Sequence, residues 1–232
     1  YQLVLERLCG AWIYQCCLRN RDLRSEGGSK NLTIGVLALQ GGISEHAVML
    51  SRLELPNLQV TAVRAVADLA GLDGIILPGG ESTAQGLFLK HFGMVEPLRQ
   101  LIEEGLPVWG TCAGMILLAK EVENQAIPVL ACMDICVRRN WYGSQQDSFI
   151  TTITTITEKG IPGGFAEEVF IRAPGIVSAA EDVEVLASVQ GQPVACRQRN
   201  MIVTAFHPEL TDDPRFHEFF IEQVLSYQTI IS

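Results

Sequence analysis

The sequence has no CxxC pair, and its seven cysteines include the adjacent Cys16-Cys17, an arrangement that suggests neither a disulfide framework nor a zinc ribbon. Cys132 and Cys136 could share a helical face, but no second ligand pair accompanies them, so no metal site is expected. Reduced thiols in the cytoplasm fit this usage better. Basic charge is also scarce. Lys and Arg number 17 against 26 Asp and Glu, a formal charge of −9, which argues against a nucleic-acid partner because phosphate binding rests on cationic side chains. No run of about 18 apolar residues occurs, so no membrane-spanning helix is expected. Charged residues make up only 19 % of the chain and apolar residues 48 %, enough for one sizeable core and too apolar for a disordered chain.

Residues 1–30 differ from the rest. Trp12, Tyr14, Cys16 and Cys17 are followed by Arg19, Arg21 and Arg24 and by the flexible run Glu26-Gly27-Gly28-Ser29, which reads as an extension ending in a linker. Glu6 and Arg7 interrupt its apolar stretch, and it has neither a basic start nor a small-residue cleavage site, so a signal peptide is not expected. We assign this segment no chemistry and place the working domain in residues 31–232. The extension carries five basic and three acidic residues, so that domain is more acidic than the chain as a whole.

From Leu32 the pattern becomes regular. Strand-like runs at Leu32–Leu39, Leu58–Val63, Gly74–Leu77 and Pro107–Trp109 alternate with helix-like segments at Ile43–Leu53, Ser82–His91, Val95–Glu104 and Ala113–Lys120. Nearly continuous apolar strands between helices predict an α/β fold, a parallel sheet covered on both faces. The second half reads as strands at Asp147–Thr157, Glu168–Ile171, Val183–Val189, Pro193–Gln198 and Met201–Phe206, which could extend the sheet in antiparallel fashion, before a closing helix at Pro214–Tyr227.

The most informative segment is Trp109-Gly110-Thr111-Cys112-Ala113-Gly114, where a buried strand runs into a helix. A cysteine flanked at two residues on each side by glycine has the spacing of a nucleophile elbow, with Cys in place of Ser. Side chains at 110 and 114 would collide in so tight a turn, and the helix amino terminus favours a thiolate. A nucleophile needs a base, and there are four histidines, at 46, 91, 207 and 217. His207 follows an apolar strand, and in an extended segment Glu209, two residues on, points the same way and can orient the imidazole. Solvated or capping roles suit His46, His91 and His217. Leu77-Pro78-Gly79-Gly80-Glu81-Ser82-Thr83 lacks the Lys of a P-loop, and Glu81 would repel phosphate. Paired glycines beside a thiolate suit an oxyanion hole, with the Gly80 and Ala113 amides as candidate donors; Ser82 can also serve as the cap of the next helix.

These residues resemble the class I glutamine amidotransferases, and within them the glutaminase subunits of pyridoxal 5′-phosphate synthase. The resemblance runs from about Thr33 to about Tyr227 and is carried by Ile34-Gly35-Val36-Leu37-Ala38-Leu39-Gln40-Gly41, Glu45-His46, the Gly79-Gly80-Glu81-Ser82 loop and the elbow. It is carried further by Arg139-Asn140, Asp147-Ser148-Phe149, Phe170-Ile171-Arg172-Ala173-Pro174 and Phe206-His207-Pro208-Glu209-Leu210-Thr211. The resemblance implies a three-layer, flavodoxin-like fold with added antiparallel strands. It implies Cys112 as nucleophile, His207 as general base and acid, and Glu209 as its orienter. Glutamine would be held by Gly80, Glu81, Ser82, Arg139, Ile171 and Arg172. Ammonia would pass to a (β/α)8-barrel synthase within a large hetero-oligomer, touching the Gln40-Gly41-Gly42 loop, and pyridoxal 5′-phosphate would be the product of that complex, with no cofactor required. Residues 125–136 and Ser144-Gln145-Gln146 depart from the family pattern. The alternatives are a glutaminase serving another acceptor, and a redox or chaperone-like protein on a related sheet, which would have no use for Glu209.

Overall fold

The structure, a computed structural model, describes residues 31–123, 129–142, 148–155, 160–161 and 164–231, with side chains to residue 227. The extension at 1–30, its linker, Ser144-Gln145-Gln146 and part of the 125–136 departure lie outside the described residues. Twelve strands are described: β1 Leu32–Leu37, β2 Leu58–Val63, β3 Gly74–Leu77, β4 Val108–Thr111, β5 Ala119–Val122, β6 Met133–Arg138, β7 Phe149–Thr155, β8 Gly164–Phe170, β9 Gly175–Ala179, β10 Glu184–Val189, β11 Gln192–Gln198 and β12 Met201–Thr204. The α-helices are α1 Ile43–Arg52, α2 Ser82–His91, α3 Val95–Glu103, α4 Ala113–Leu118 and α5 Arg215–Ile231.

Nine strands form one sheet in the order β2-β1-β3-β4-β12-β11-β10-β7-β8. Its first five pair in parallel, and beyond β12 every pairing is antiparallel. The parallel half has the doubly wound order that gathers ligands at the carboxyl ends of the strands. Its central strands are short and nearly all apolar because both faces are covered: β3 and β4 have every residue buried, whereas the edge strand β2 is only half-buried. Alternation along β4 separates the layers. Trp109 faces α5, its ring 5.8 Å from Phe220, whereas a Cβ at Gly110 would meet the Gly114 backbone of α4 at 2.6 Å on the opposite face. With α1 joined to α5 through His46 and His217, the molecule is a three-layer α/β sandwich.

A smaller sheet, β5-β6-β9, stands beside the main one, with β5 parallel and β9 antiparallel to β6. It is tied to α4 by bonds from the Leu130 and Cys132 amides to the Leu117 and Leu118 carbonyls. The sequence reading misses these strands. Ala119 and Lys120 continue the helical pattern of α4 but belong to β5, where edge pairing with β6 overrides propensity. Cys132 precedes β6 and Cys136 lies within it, so the two do not share a helical face. Among the described residues no helix is long and apolar enough to cross a membrane.

Candidate active site

The carboxyl ends of β1, β3, β4 and β12 converge on one cavity of about 250 Å³. Cys112 stands where β4 turns into α4, with φ 46° and ψ −96°, a conformation that side chains rarely adopt. The turn is closed by the Cys112 amide donating to the Thr204 carbonyl at 2.8 Å, so the parallel β4–β12 pairing itself sets the elbow. A Cβ at Gly114 would lie 2.1 Å from the Leu77 carbonyl oxygen, which explains the second glycine as the first is explained by α4.

His207 follows β12, and its Nδ1 lies 2.8 Å from Glu209 Oε1. The contact expected from sequence is present, but the extended backbone expected to make it is not. Pro208–Leu210 forms a 3₁₀ turn instead, and the turn folds Glu209 back beneath the imidazole. On its other side His207 faces Cys112, whose sulfur lies 3.8 Å from the Ile171 carbonyl oxygen. Burial works against charge on the imidazole, but its interactions with Cys112 and Glu209 outweigh it and carry the His207 pKa up to about 10. The Glu209 carboxyl is also pushed up by burial, and His46 and His207 together bring it below the usual carboxylate range. Sulfur, imidazole and carboxylate in series can deprotonate the thiol, hold the resulting imidazolium and return its proton to a leaving group.

The mouth of the cavity is charged. Glu81 reaches Arg139 at 2.8 Å and Arg172 at 3.6 Å, and all three side chains are partly exposed. Arg139 leaves the end of β6, so the small sheet's task at the site is to carry this guanidinium over α2. Glu81 is also the cap of α2, accepting from the Thr83 amide at 3.2 Å, a role the sequence reading gave to Ser82. Ser82 is instead a buried wall residue, with Gly80, Ala113, Ile171 and Arg172 lining the same cavity. Two carboxylate-binding forks and one carboxylate at the mouth suit a ligand that carries both an ammonium and a carboxylate.

The chain matches the SNO glutamine amidotransferase family over residues 36–226. It belongs to that family. A curated relative, the pyridoxal 5′-phosphate synthase subunit PdxT of Carboxydothermus hydrogenoformans, is 51 % identical over 193 residues, covering 83 % of this chain and 98 % of the relative. The protein of the same name from Ruminiclostridium cellulolyticum is 48 % identical over 193 residues, covering 82 % and 98 %. A crystal structure of a glutamine amidotransferase is similar at TM-score 0.76 with 41 % identity, covering 82 % of this chain and 98 % of that one. The structure of PurLQS from Thermotoga maritima shares the fold at TM-score 0.63 and 16 % identity, covering 86 % and 100 %.

In this SNO family member every site residue named from sequence lies around that cavity. Others were missed. The solvated roles given to His46 and His217 are wrong, because both are fully buried; His91 is exposed at the end of α2. His46 shares a helix face with Met49 and Leu50, and His217 shares one with Phe220, Ile221 and Val224; that spacing was the available signal. Thr111 was also passed over. Its Oγ1 accepts from the Gly79 amide at 2.8 Å, fixing the glycine loop to the elbow strand. Gln40 does the same from the loop after β1, its side-chain oxygen accepting from the Glu81 amide at 2.7 Å.

Proposed function

We propose that this SNO family member hydrolyses L-glutamine to L-glutamate and ammonia, and delivers the ammonia to a synthase subunit that makes pyridoxal 5′-phosphate. What carries the reading is the buried Cys112–His207–Glu209 series opening on a cavity whose mouth holds Arg139, Glu81 and Arg172. The curated relatives' shared name, a pyridoxal 5′-phosphate synthase subunit, supports the choice of acceptor.

His207 takes the thiol proton, and the Cys112 sulfur attacks the side-chain amide carbon of glutamine. The negative oxygen that develops faces the Gly80 and Ala113 end of the cavity, where backbone amides stabilise it. As the carbon–nitrogen bond breaks, His207 gives its proton to the leaving nitrogen, so ammonia departs and a glutamyl thioester remains. Water then attacks the thioester, His207 takes the water's proton and passes it to the departing sulfur, and glutamate leaves. Glu209 holds the imidazole in the tautomer that presents its other nitrogen to sulfur. Glutamine is held by Gly80, Glu81, Ser82, Arg139, Ile171 and Arg172. The synthase is a (β/α)8 barrel that docks near Gln40-Gly41-Gly42 in a hetero-oligomer.

The test is glutamate release by the full chain mixed with its synthase partner. Cys112→Ala is expected to abolish turnover while still binding glutamine. Unchanged turnover in that variant would overturn the reading, and failure to bind any pyridoxal phosphate synthase barrel would favour another acceptor.

A further inference from the structure

Behind Glu209, away from the cavity, lies a closed polar cluster for which the reaction above gives no use. His46 on α1 and His217 on α5 are both fully buried, with His46 Nδ1 3.0 Å from His217 Nε2. Trp109 of β4 meets both rings edge-on, at 5.5 and 4.8 Å. The other nitrogen of His46, Nε2, lies 3.4 Å from Glu209 Oε2 and 3.3 Å from Thr111 Oγ1. Glu209 Oε1 is taken by His207, whereas Oε2 is buried and has no hydrogen bond of ordinary geometry among the described residues. A buried carboxylate oxygen without any compensating donor is costly, and His46 Nε2 is placed to supply one.

The tautomers follow from this arrangement. An imidazole lone pair aimed at a buried carboxylate oxygen would be repelled, so Nε2 of His46 carries the proton. Nδ1 is then an acceptor, and His217 Nε2–H donates to it. That leaves His217 Nδ1 as a bare lone pair, consistent with its lack of a partner among the described residues. Burial pushes the pKa of both rings down, so both are neutral and the chain of protons has one direction, from His217 to His46 to Glu209. Glu209 in turn faces His207.

From this geometry, and resting on the reading of Cys112, His207 and Glu209 as the catalytic series, we infer that His46 is a positioning residue for catalysis. Its Nε2–H fixes the Glu209 carboxylate in the orientation that serves His207, and His217 sets the tautomer of His46. His46 does not line the cavity, so it acts on turnover and not on glutamine binding. Through Thr111, which also receives the Gly79 amide, the same side chain steadies the glycine loop.

The experiment compares His46→Leu, His46→Gln and His46→Asn, alone and combined with Glu209→Gln, in the full chain with its synthase partner. His46→Leu is expected to lower kcat roughly 10- to 100-fold, the scale of losing a hydrogen bond to a charged group, with KM within about twofold. Glutamine's amide nitrogen reaches the place of Nε2 and asparagine's only that of Nδ1, so His46→Gln should recover most of the rate and His46→Asn should not. In the Glu209→Gln background His46→Leu should cost far less than in the unmodified protein, because the carboxylate charge it serves is already gone and only its contact with Thr111 remains to be lost. Losses that multiply instead, a rise in KM, or rescue by Asn instead of Gln would overturn the inference. Should His46→Leu fail to fold, the Gln and Asn variants still decide it. Cys112→Ala separates the two levels: if it is inactive while His46→Leu is normal, only the role of His46 falls, whereas an active Cys112→Ala removes the catalytic series itself.

Discussion

Gly79→Ala puts one methyl group between the glycine loop and the His207 imidazole. A Cβ at position 79 would lie 2.3 Å from His207 Cε1 and 2.7 Å from Nδ1, where ordinary contact begins near 3.4 Å. One side must therefore retreat by about 1 Å. The loop is held from two directions, its amide donating to Thr111 Oγ1 at 2.8 Å and its carbonyl accepting from the Gly42 amide at 3.0 Å. Among the described residues the imidazole has one side-chain hydrogen bond, the 2.8 Å contact with Glu209, and it borders the open cavity, so His207 is the part that moves. A misplacement of about 1 Å in a reacting group costs on the order of 100-fold in rate. Overpacking a core position costs about 1–3 kcal/mol, which for a chain of this size lowers Tm by roughly 2–12 °C. The assay is glutamate release at saturating glutamine with the synthase present, beside a thermal melt of the same preparation. A variant that keeps kcat within about threefold while showing the lowered Tm would refute the reasoning, because it would mean that the imidazole's place is not fixed by this contact.

Two further outcomes follow from the charged groups. Arg139→Ala removes one of the two guanidinium groups at the mouth while leaving sulfur and imidazole untouched, so KM for glutamine should rise roughly tenfold with little change in kcat, as read from steady-state kinetics. Glu168 of β8 is fully buried, with neither oxygen partnered among the described residues. Its burial, reinforced by the negative charges of Asp213 and Glu209, pushes its pKa up to about 8. The folded protein holds this proton between about pH 4.5 and pH 8 while the unfolded chain does not. Stability should thus fall as pH rises through that window, by a few kcal/mol at most. Urea melts of Glu168→Gln should show that decline reduced and a more stable protein at pH 8; an unchanged pH profile would contradict this account.

What the sequence made legible was the part governed by short-range sterics. Gly110 and Gly114 announce the elbow because backbone atoms of α4 and β3 fill the space where their side chains would be. His207-x-Glu209 announces a contact because two residues cannot stray far, though Pro208 makes a 3₁₀ turn where an extended stretch was expected. The parallel half of the sheet was readable from its apolar runs, whereas β5, β6 and β9 were not, since their pairing depends on partners distant in sequence. The burial of His46 and His217 was only half legible, since their spacing puts each on an apolar helix face but does not say what covers it. What covers both faces, the contact of the two rings with each other and with Trp109, joins residues far apart in sequence.

The pairing of β4 with β12 has a consequence for biosynthesis. Cys112 and His207 are brought together by strands whose registers join Val108–Thr111 to Met201–Thr204, so nearly the whole chain must emerge before the pairing can close. Contacts of such long sequence separation form late, because loop closure is unfavourable until the intervening structure is in place. A nascent chain or one truncated before β12 can present Cys112 but not the His207 that faces it. Glutaminase activity therefore serves as a readout that the carboxyl-terminal strands have docked.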